Sequence, residues 1–218
     1  MTSTTAHLAV VHGAEYERYA GEMFESARAF FRPTDTVAFH VLPARPGWPD
    51  ATLYRYHAIL ARQELLDHDF VFLTDADMRF EAEVGPEVLS PLTATRHPGY
   101  VTVPRREMPF ERRPQSAAYV PPERGSSYYA GGFVGGRRDA FLALAETIAA
   151  AIDRDDAAGL VARWHDESHL NRALLDGPPF RSLTPSYCYP DDDSRYLEHW
   201  RDCYPRRLVA LDKAHARR

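Results

Sequence analysis

The sequence predicts an α/β protein, a mixed sheet flanked by helices, and three observations lead there. Short apolar, β-branched runs recur: "HLAVV" at 7–11, "TVAFHVL" at 36–42 and "FVFLTDAD" at 70–77. The stretches between them carry apolar residues at spacings of three and four, the period of an amphipathic helix. Strand and helix therefore alternate, which is the pattern of a sheet with helices packed on its faces.

Taken in order, "HLAVV" is a first buried strand. Residues 15–31, "EYERYAGEMFESARAFF", are helical, with Tyr16, Tyr19, Met23, Phe24, Ala27 and Phe31 on one stripe and Pro33 beyond its end. "TVAFHVL" is a second strand, and Pro43, Pro46, Gly47 and Pro49 make an irregular connection after it. "ATLYRYHAILARQELLDHD" (51–69) is expected as a second helix and "FVFLTDAD" as a third strand. "GYVTVP" (99–104) is expected as another strand. Residues 105–127 have four prolines and little periodicity, so they are expected to form a functional loop or lid. "YYAGGFVGG" follows. Two helices, in 137–155 and 160–177, come next, the second closed by Gly177. "FRSLTPSYCY" (180–189) supplies a last strand. The basic end, 206–218, is a tail.

The 218 residues divide at no linker, charge block or repeat, so one domain is expected. A hydrophobic fraction of 44% supports a sizeable core. A net charge of -5, from 26 basic against 31 acidic residues, argues against a nucleic-acid surface. No apolar run approaches the roughly 20 residues of a membrane span. The start lacks a basic region followed by a long apolar one, so no signal peptide is expected, and a soluble cytoplasmic protein is the default. Cys188 and Cys203 have no metal spacing and make no disulfide framework.

Three constellations carry chemistry. Asp75 and Asp77 end a buried strand, where residues i and i+2 point to one side. Ligands collect beyond the carboxyl ends of strands in open α/β sheets. Paired carboxylates there suit Mg²⁺ or Mn²⁺. An Asp in any loop after a strand is the plainer reading. In "WHDESHLN" (164–171), His165 and His169 share a helix face, which invites a zinc site. The general-base Glu of H-E-x-x-H is missing after the first His, however, because Asp166 stands there. Acids in a first helical turn also suit the helix dipole. That accounts for one acid but not for Trp164, two His, Asp166 and Glu167 together. Such a carboxylate can face sugar hydroxyls or an oxocarbenium centre. In "YYAGGFVGG", four glycines in six residues leave room where side chains would stand, or mark a bulge. No Gly-Lys-Ser/Thr follows, so this is not a Walker loop.

"TDADMRF", "RHPGY" (96–100), "FERRPQSAAYVP" (110–121), "YYAGGFVGG" and "WHDESHLN", in this order, resemble blocks of glycosyltransferase family 6. That family holds the histo-blood-group A and B transferases and the α-1,3-galactosyltransferases, and the resemblance spans almost the whole chain. It implies a GT-A fold, with the DxD motif at a strand end. It implies retaining transfer of N-acetylgalactosamine or galactose from a UDP-sugar to the 3-OH of a galactoside, plain or fucosylated, in α-1,3 linkage. By the same resemblance, Asp75 and Asp77 hold Mn²⁺, or Mg²⁺, and the diphosphate. Tyr16 packs near the uracil. Arg55 and Asp166 reach the donor, Glu167 is the central carboxylate, and His97 and Trp164 contact the acceptor. The membrane anchor and stem of the vertebrate members have no counterpart, so a bare catalytic domain is expected.

Departures from the family matter too. Ala130-Gly131-Gly132 stands where the blood-group enzymes read Leu-Gly-Gly for N-acetylgalactosamine and Met-Gly-Ala for galactose. The final Gly favours N-acetylgalactosamine. Many bacterial members replace both Asp of the metal motif, and this chain keeps them, so metal dependence is expected. "TPSYCYPDDD" replaces a family Trp-Asp pair, which moves the acceptor-side acid to Asp191. Lys213 and Arg217 are the tail residues expected to cover the diphosphate. A nucleotide-sugar-binding protein without turnover is the other class of reading, and the retained Asp75, Asp77 and Glu167 speak against it.

Overall fold

The computed structural model describes residues 5–12, 16–65, 67–191 and 200–212. Its strands are β1 (Thr5–His12), β2 (Thr36–Pro43), β3 (Phe70–Thr74), β4 (Met78–Phe80), β5 (Leu92–Arg96), β6 (Tyr129–Arg137), β7 (Arg181–Leu183), β8 (Tyr189–Pro190) and β9 (Leu208–Ala210). Its α-helices are α1 (Glu17–Phe30), α2 (Asp50–Leu53), α3 (Arg55–Leu60), α4 (Arg138–Ala157) and α5 (His165–Asp176). Six strands form a mixed sheet in the order β2-β1-β3-β6-β5-β7, and β4-β9-β8 form a small second sheet. β1 runs parallel to β2 and β3, whereas β6 runs antiparallel to both β3 and β5.

Alternation along the central strands sorts the core into two layers. Leu8, Val10, Phe72 and Phe133 face one side, where Met23, Phe24 and Ala27 of α1 cover them. Ala9, Val71, Leu73 and Val134 face the other, under Ile59 of α3, Phe141, Ala145 and Ile148 of α4, and Leu170 of α5. Phe72 and Phe133 stack at 5.6 Å across the β3–β6 pair.

Several expected elements are corrected. The helix over 51–69 is broken at Tyr54 into α2 and α3, and a short 3₁₀ turn, Gln63–Leu65, follows. "GYVTVP" is not a strand. His97 caps a 3₁₀ turn over Pro98–Tyr100, accepting from Gly99 N–H at 3.1 Å, and the strand lies earlier, at Leu92–Arg96. Pro185, which has no N–H to give a ladder, splits the last expected strand into β7 and β8 around a 3₁₀ turn. The helix expected over 160–177 begins only at His165, and Gly177 ends it in extended rather than left-handed backbone.

Residues 105–127 lack long regular structure, as expected of a loop, but they are packed. Phe110, Ala118 and Val120 are buried, and Met108, Phe110 and Val120 cluster on Tyr128. Glu111 accepts from Arg163 N–H at 2.8 Å, just before α5, and Asp155 of α4 accepts from Ala117 N–H at 2.6 Å. The segment thus serves as a brace that sets the start of α5. None of the helices, among the described residues, is long and apolar enough to cross a membrane.

Candidate active site

β6 holds the key to the site. Opposite β5, its register jumps: Ala94 pairs with Val134, but Thr95 pairs with Ala130. Gly131, Gly132 and Phe133 therefore have no partners on β5, a wide bulge that frees backbone groups. Those groups recruit side chains. Gly131 N–H donates to Glu167 Oε2 at 2.9 Å. The Gly131 carbonyl accepts from Arg55 Nη1 at 3.2 Å. The Gly132 carbonyl accepts from Asp75 N–H at 3.1 Å and from the Thr74 hydroxyl at 3.1 Å. Thr95 covers the Phe133 carbonyl at 3.0 Å.

Arg55, the first residue of α3, is buried between two acids. Its Nη1 lies 2.7 Å from Asp75 Oδ1 and its Nε 3.0 Å from Asp166 Oδ2. Burial alone would lower its pKa, but Asp166 and Asp75 outweigh that and hold the guanidinium charged. Asp166 is pushed up to about 7 by burial and by Asp75, against the pull of Arg55. Glu167 is also pushed up to about 7, by burial first and then by Asp166, while Gly131 N–H and the Tyr128 hydroxyl favour its ionised form. Asn171, one turn on, takes both the N–H and the carbonyl of Tyr129 and also the Glu167 carbonyl. α5 is thereby clamped to the bulged strand.

Asp75 and Asp77 lie on the turn between β3 and β4, not on an extended strand. Both line a cleft of about 380 Å³ with Tyr16, Trp48, Thr52 and Arg55. The buried Cys188 thiol is pushed up by burial and then by the negative charge of Asp75, Glu167 and Asp77. Asp75 Oδ2 lies beside Gly132, away from the oxygen that Arg55 holds. Two hard carboxylates on one cleft wall fit a small divalent cation.

The sequence-derived residues are distributed as follows. Tyr16, Arg55, Asp75 and Asp77 line the cleft; Asp166 and Glu167 meet Arg55 beside Gly131, and Asp75 stands beside Gly132. Ala130 is buried and paired to Thr95. Trp164 caps α5 and is 45% exposed. His97 stands behind Tyr128, with ring centres 6.0 Å apart, and burial lowers its pKa to about 4. Asp191 sits in an ion network with Arg206 at 2.8 Å and Arg79 at 3.9 Å. Lys213 and Arg217 lie outside the described residues, two and six positions after Leu211, whose N–H bonds the Asp77 carbonyl. His165 and His169 do not converge. His165 meets Trp48 edge-on at 4.6 Å, whereas His169 is buried against Asp155 at 3.6 Å.

A sequence profile of glycosyltransferase family 6 matches residues 45–213. The chain belongs to glycosyltransferase family 6. Histo-blood group ABO system transferase 1 of Rattus norvegicus is 32% identical over 99% of this chain and 68% of its own length. Globoside alpha-1,3-N-acetylgalactosaminyltransferase 1 of Gallus gallus is 37% identical over 81% of this chain and 59% of its own. Alpha-1,3-galactosyltransferase 2 of Homo sapiens is 30% identical over 83% and 61%. This family 6 chain is a hexosyltransferase.

Three residues of the candidate site escaped the sequence reading. Asn171 had a signal, because it stands four residues after Glu167 on one helix face. Tyr128 had only its adjacency to the glycines. Trp48, 75% exposed at the cleft, sits in an irregular connection that no period describes.

Proposed function

We propose that this enzyme, as a single GT-A-type domain, transfers N-acetylgalactosamine from UDP-N-acetylgalactosamine to the 3-hydroxyl of a galactoside, in α-1,3 linkage and with retention. The convergence of Asp75, Arg55, Asp166 and Glu167 on the bulged Gly131-Gly132 segment carries this reading. The cleft leading to that point has the volume of an ordinary ligand site. The names of the relatives, which include N-acetylgalactosaminyl- and galactosyltransferases, support the donor class.

Asp75 and Asp77 would hold Mn²⁺ or Mg²⁺, which supplies positive charge to a diphosphate leaving group. Tyr16 packs against the uracil, and Lys213 and Arg217 cover the diphosphate. Arg55 orients Asp166 toward the donor hydroxyls and favours its ionised form. Glu167, fixed by Gly131 N–H and adjacent to Tyr128, presents a carboxylate to the anomeric carbon. It serves either as nucleophile or as the counter-charge of an ion-pair transition state. Trp164 and His97 contact the acceptor, and Asp191 reaches it by leaving Arg206. Gly132 keeps the wall beside Asp75 free of a side chain, on the side where the donor's N-acetyl group is to be accepted.

The test is a competition between labelled UDP-N-acetylgalactosamine and UDP-galactose over an array of galactosides, fucosylated and plain, with and without EDTA. Preferential transfer of N-acetylgalactosamine, an α-linked product and loss of transfer in EDTA are expected. A preference for galactose would overturn the donor assignment. A β-linked product would overturn retention, and EDTA-resistant transfer would overturn metal dependence.

A further inference from the structure

We infer that His7, Asp67 and His68 form a second cation site, for a transition metal such as Zn²⁺, at the opposite end of the sheet from the donor cleft. His7 pairs with Val71 near the start of β3, whereas the cleft begins past Thr74. At about 3.3 Å per residue, some 10 Å of strand separates the two levels. The ligand atoms of His7, Asp67 and His68 all lie within 4.8 Å of one another, and this is the one such triple among the described residues.

The hydrogen bonding at His7 is mismatched without a cation. His68 N–H donates to His7 Nε2 at 3.1 Å, so that nitrogen carries a lone pair. The ring proton then sits on Nδ1 and is donated to His40 Nε2 at 2.6 Å. Yet Asp67 Oδ1 lies 3.2 Å from the same Nε2, a carboxylate oxygen facing a lone pair. Protonating Nε2 would satisfy Asp67 and oppose the His68 N–H. A cation between Nε2 and Asp67 resolves the conflict, and the His68 N–H turns aside on a partly exposed segment.

The two carboxylate edges agree with that occupant: Asp67 Oδ1 is 3.2 Å from His7 Nε2 and 3.2 Å from His68 Nδ1. Zinc bonds of about 2.0–2.2 Å in a tetrahedron give ligand–ligand edges of about 3.3–3.5 Å. The two imidazoles stack at 4.0 Å, so binding requires the half-buried His68 ring to swing out of that stack and aim Nδ1 at the shared ion. Two imidazoles and one carboxylate suit zinc better than the all-oxygen pair at the cleft does. His40, accepting from Nδ1–H, supplies the orienting partner that metal-bound histidines have. The ion would tie β1 to the lead-in of β3, the strand that ends at Asp75.

Metal-stripped protein is loaded with Zn²⁺, desalted and assayed for metal content, for thermal unfolding and, with Co²⁺ in place of Zn²⁺, for visible ligand-field absorption. One retained Zn²⁺ per chain, a raised Tm and a tetrahedral Co²⁺ spectrum are expected. Asp67→Asn, at an exposed position, and His68→Ala, at a partly exposed one, should lose all three while keeping transfer with Mn²⁺. The Asp75→Asn/Asp77→Asn pair should keep all three. No retained Zn²⁺ in the wild type, or undiminished retention in both Asp67→Asn and His68→Ala, would overturn the site.

Discussion

Gly131-Gly132 and Gly135-Gly136 stand on the same strand, and a methyl group added to each pair would meet different things. At Gly131 it would lie 3.5 Å from Asp166, 3.7 Å from Arg55 and 3.9 Å from Glu167, all side chains of the candidate site. At Gly132 it would meet the Cys188 sulfur at 3.1 Å and Asp75 at 3.5 Å. At Gly135 it would come within 2.8 Å of the Phe72 Cα, and at Gly136 within 2.8 Å of the Leu92 Cα, both fixed backbone. Gly136 also has φ of +153°, which L side chains rarely adopt. The first pair borders the acids of the candidate site, and the second makes room for the sheet. A run of glycines read as one motif therefore contains two physical functions, divided where the register of β6 jumps.

The comparison can be broken in descending order of effect. Arg55→Met removes the guanidinium between Asp75 and Asp166, and uncompensated buried charge costs about 3–5 kcal/mol. Urea unfolding should show that loss, with transfer abolished as well. Gly135→Ala and Gly136→Ala should each destabilise by about 1–3 kcal/mol or more through forced backbone shifts. Gly131→Ala sits in ordinary contact space, so it should change stability by less than about 1 kcal/mol while transfer falls at least tenfold. Equal stability losses in both pairs would erase the division.

A smaller effect sharpens the cleft side. Glu167 is raised from its ordinary value to about 7, so between pH 5 and 7 the folded state holds a proton that the unfolded state releases. Stability contributed by this group falls as pH rises through that window, by up to about 1.4 kcal/mol per pH unit. The difference in unfolding free energy between Glu167→Gln and wild type should therefore grow in favour of Gln from pH 5 to 7 and level off above. Paired denaturant titrations across that range measure it, and a difference independent of pH contradicts the burial of the carboxylate.

Much of the frame was legible in the sequence. β1, α1, β2, β3, α4 and α5 follow from runs such as "HLAVV" and from the Tyr19, Met23, Phe24, Ala27 stripe, where local period and tertiary burial agree. Where they disagree, the period misled. The 51–69 helix breaks at Tyr54, whose backbone leaves helical geometry and whose hydroxyl bonds Asp156 of α4, a partner 102 residues away. "GYVTVP" has strand composition, but Pro98 and the His97 cap bend it away from the sheet. The register jump at Ala94 and Thr95 depends on strands 35 or more residues apart, so no local pattern announces it. Glu167 and Asp75 were visible as residue types, but the backbone hub joining them was not.

The central claim is that Glu167 acts on a sugar whose nucleotide is held at Asp75 and Asp77. Calorimetric UDP binding with Mn²⁺, measured beside transfer rate on the same preparation of Glu167→Gln, tests it most directly. The account predicts UDP affinity within a few fold of wild type and a transfer rate lower by about 10²–10⁴. Transfer close to the wild-type rate would contradict it, as would loss of UDP binding in that variant with the fold intact.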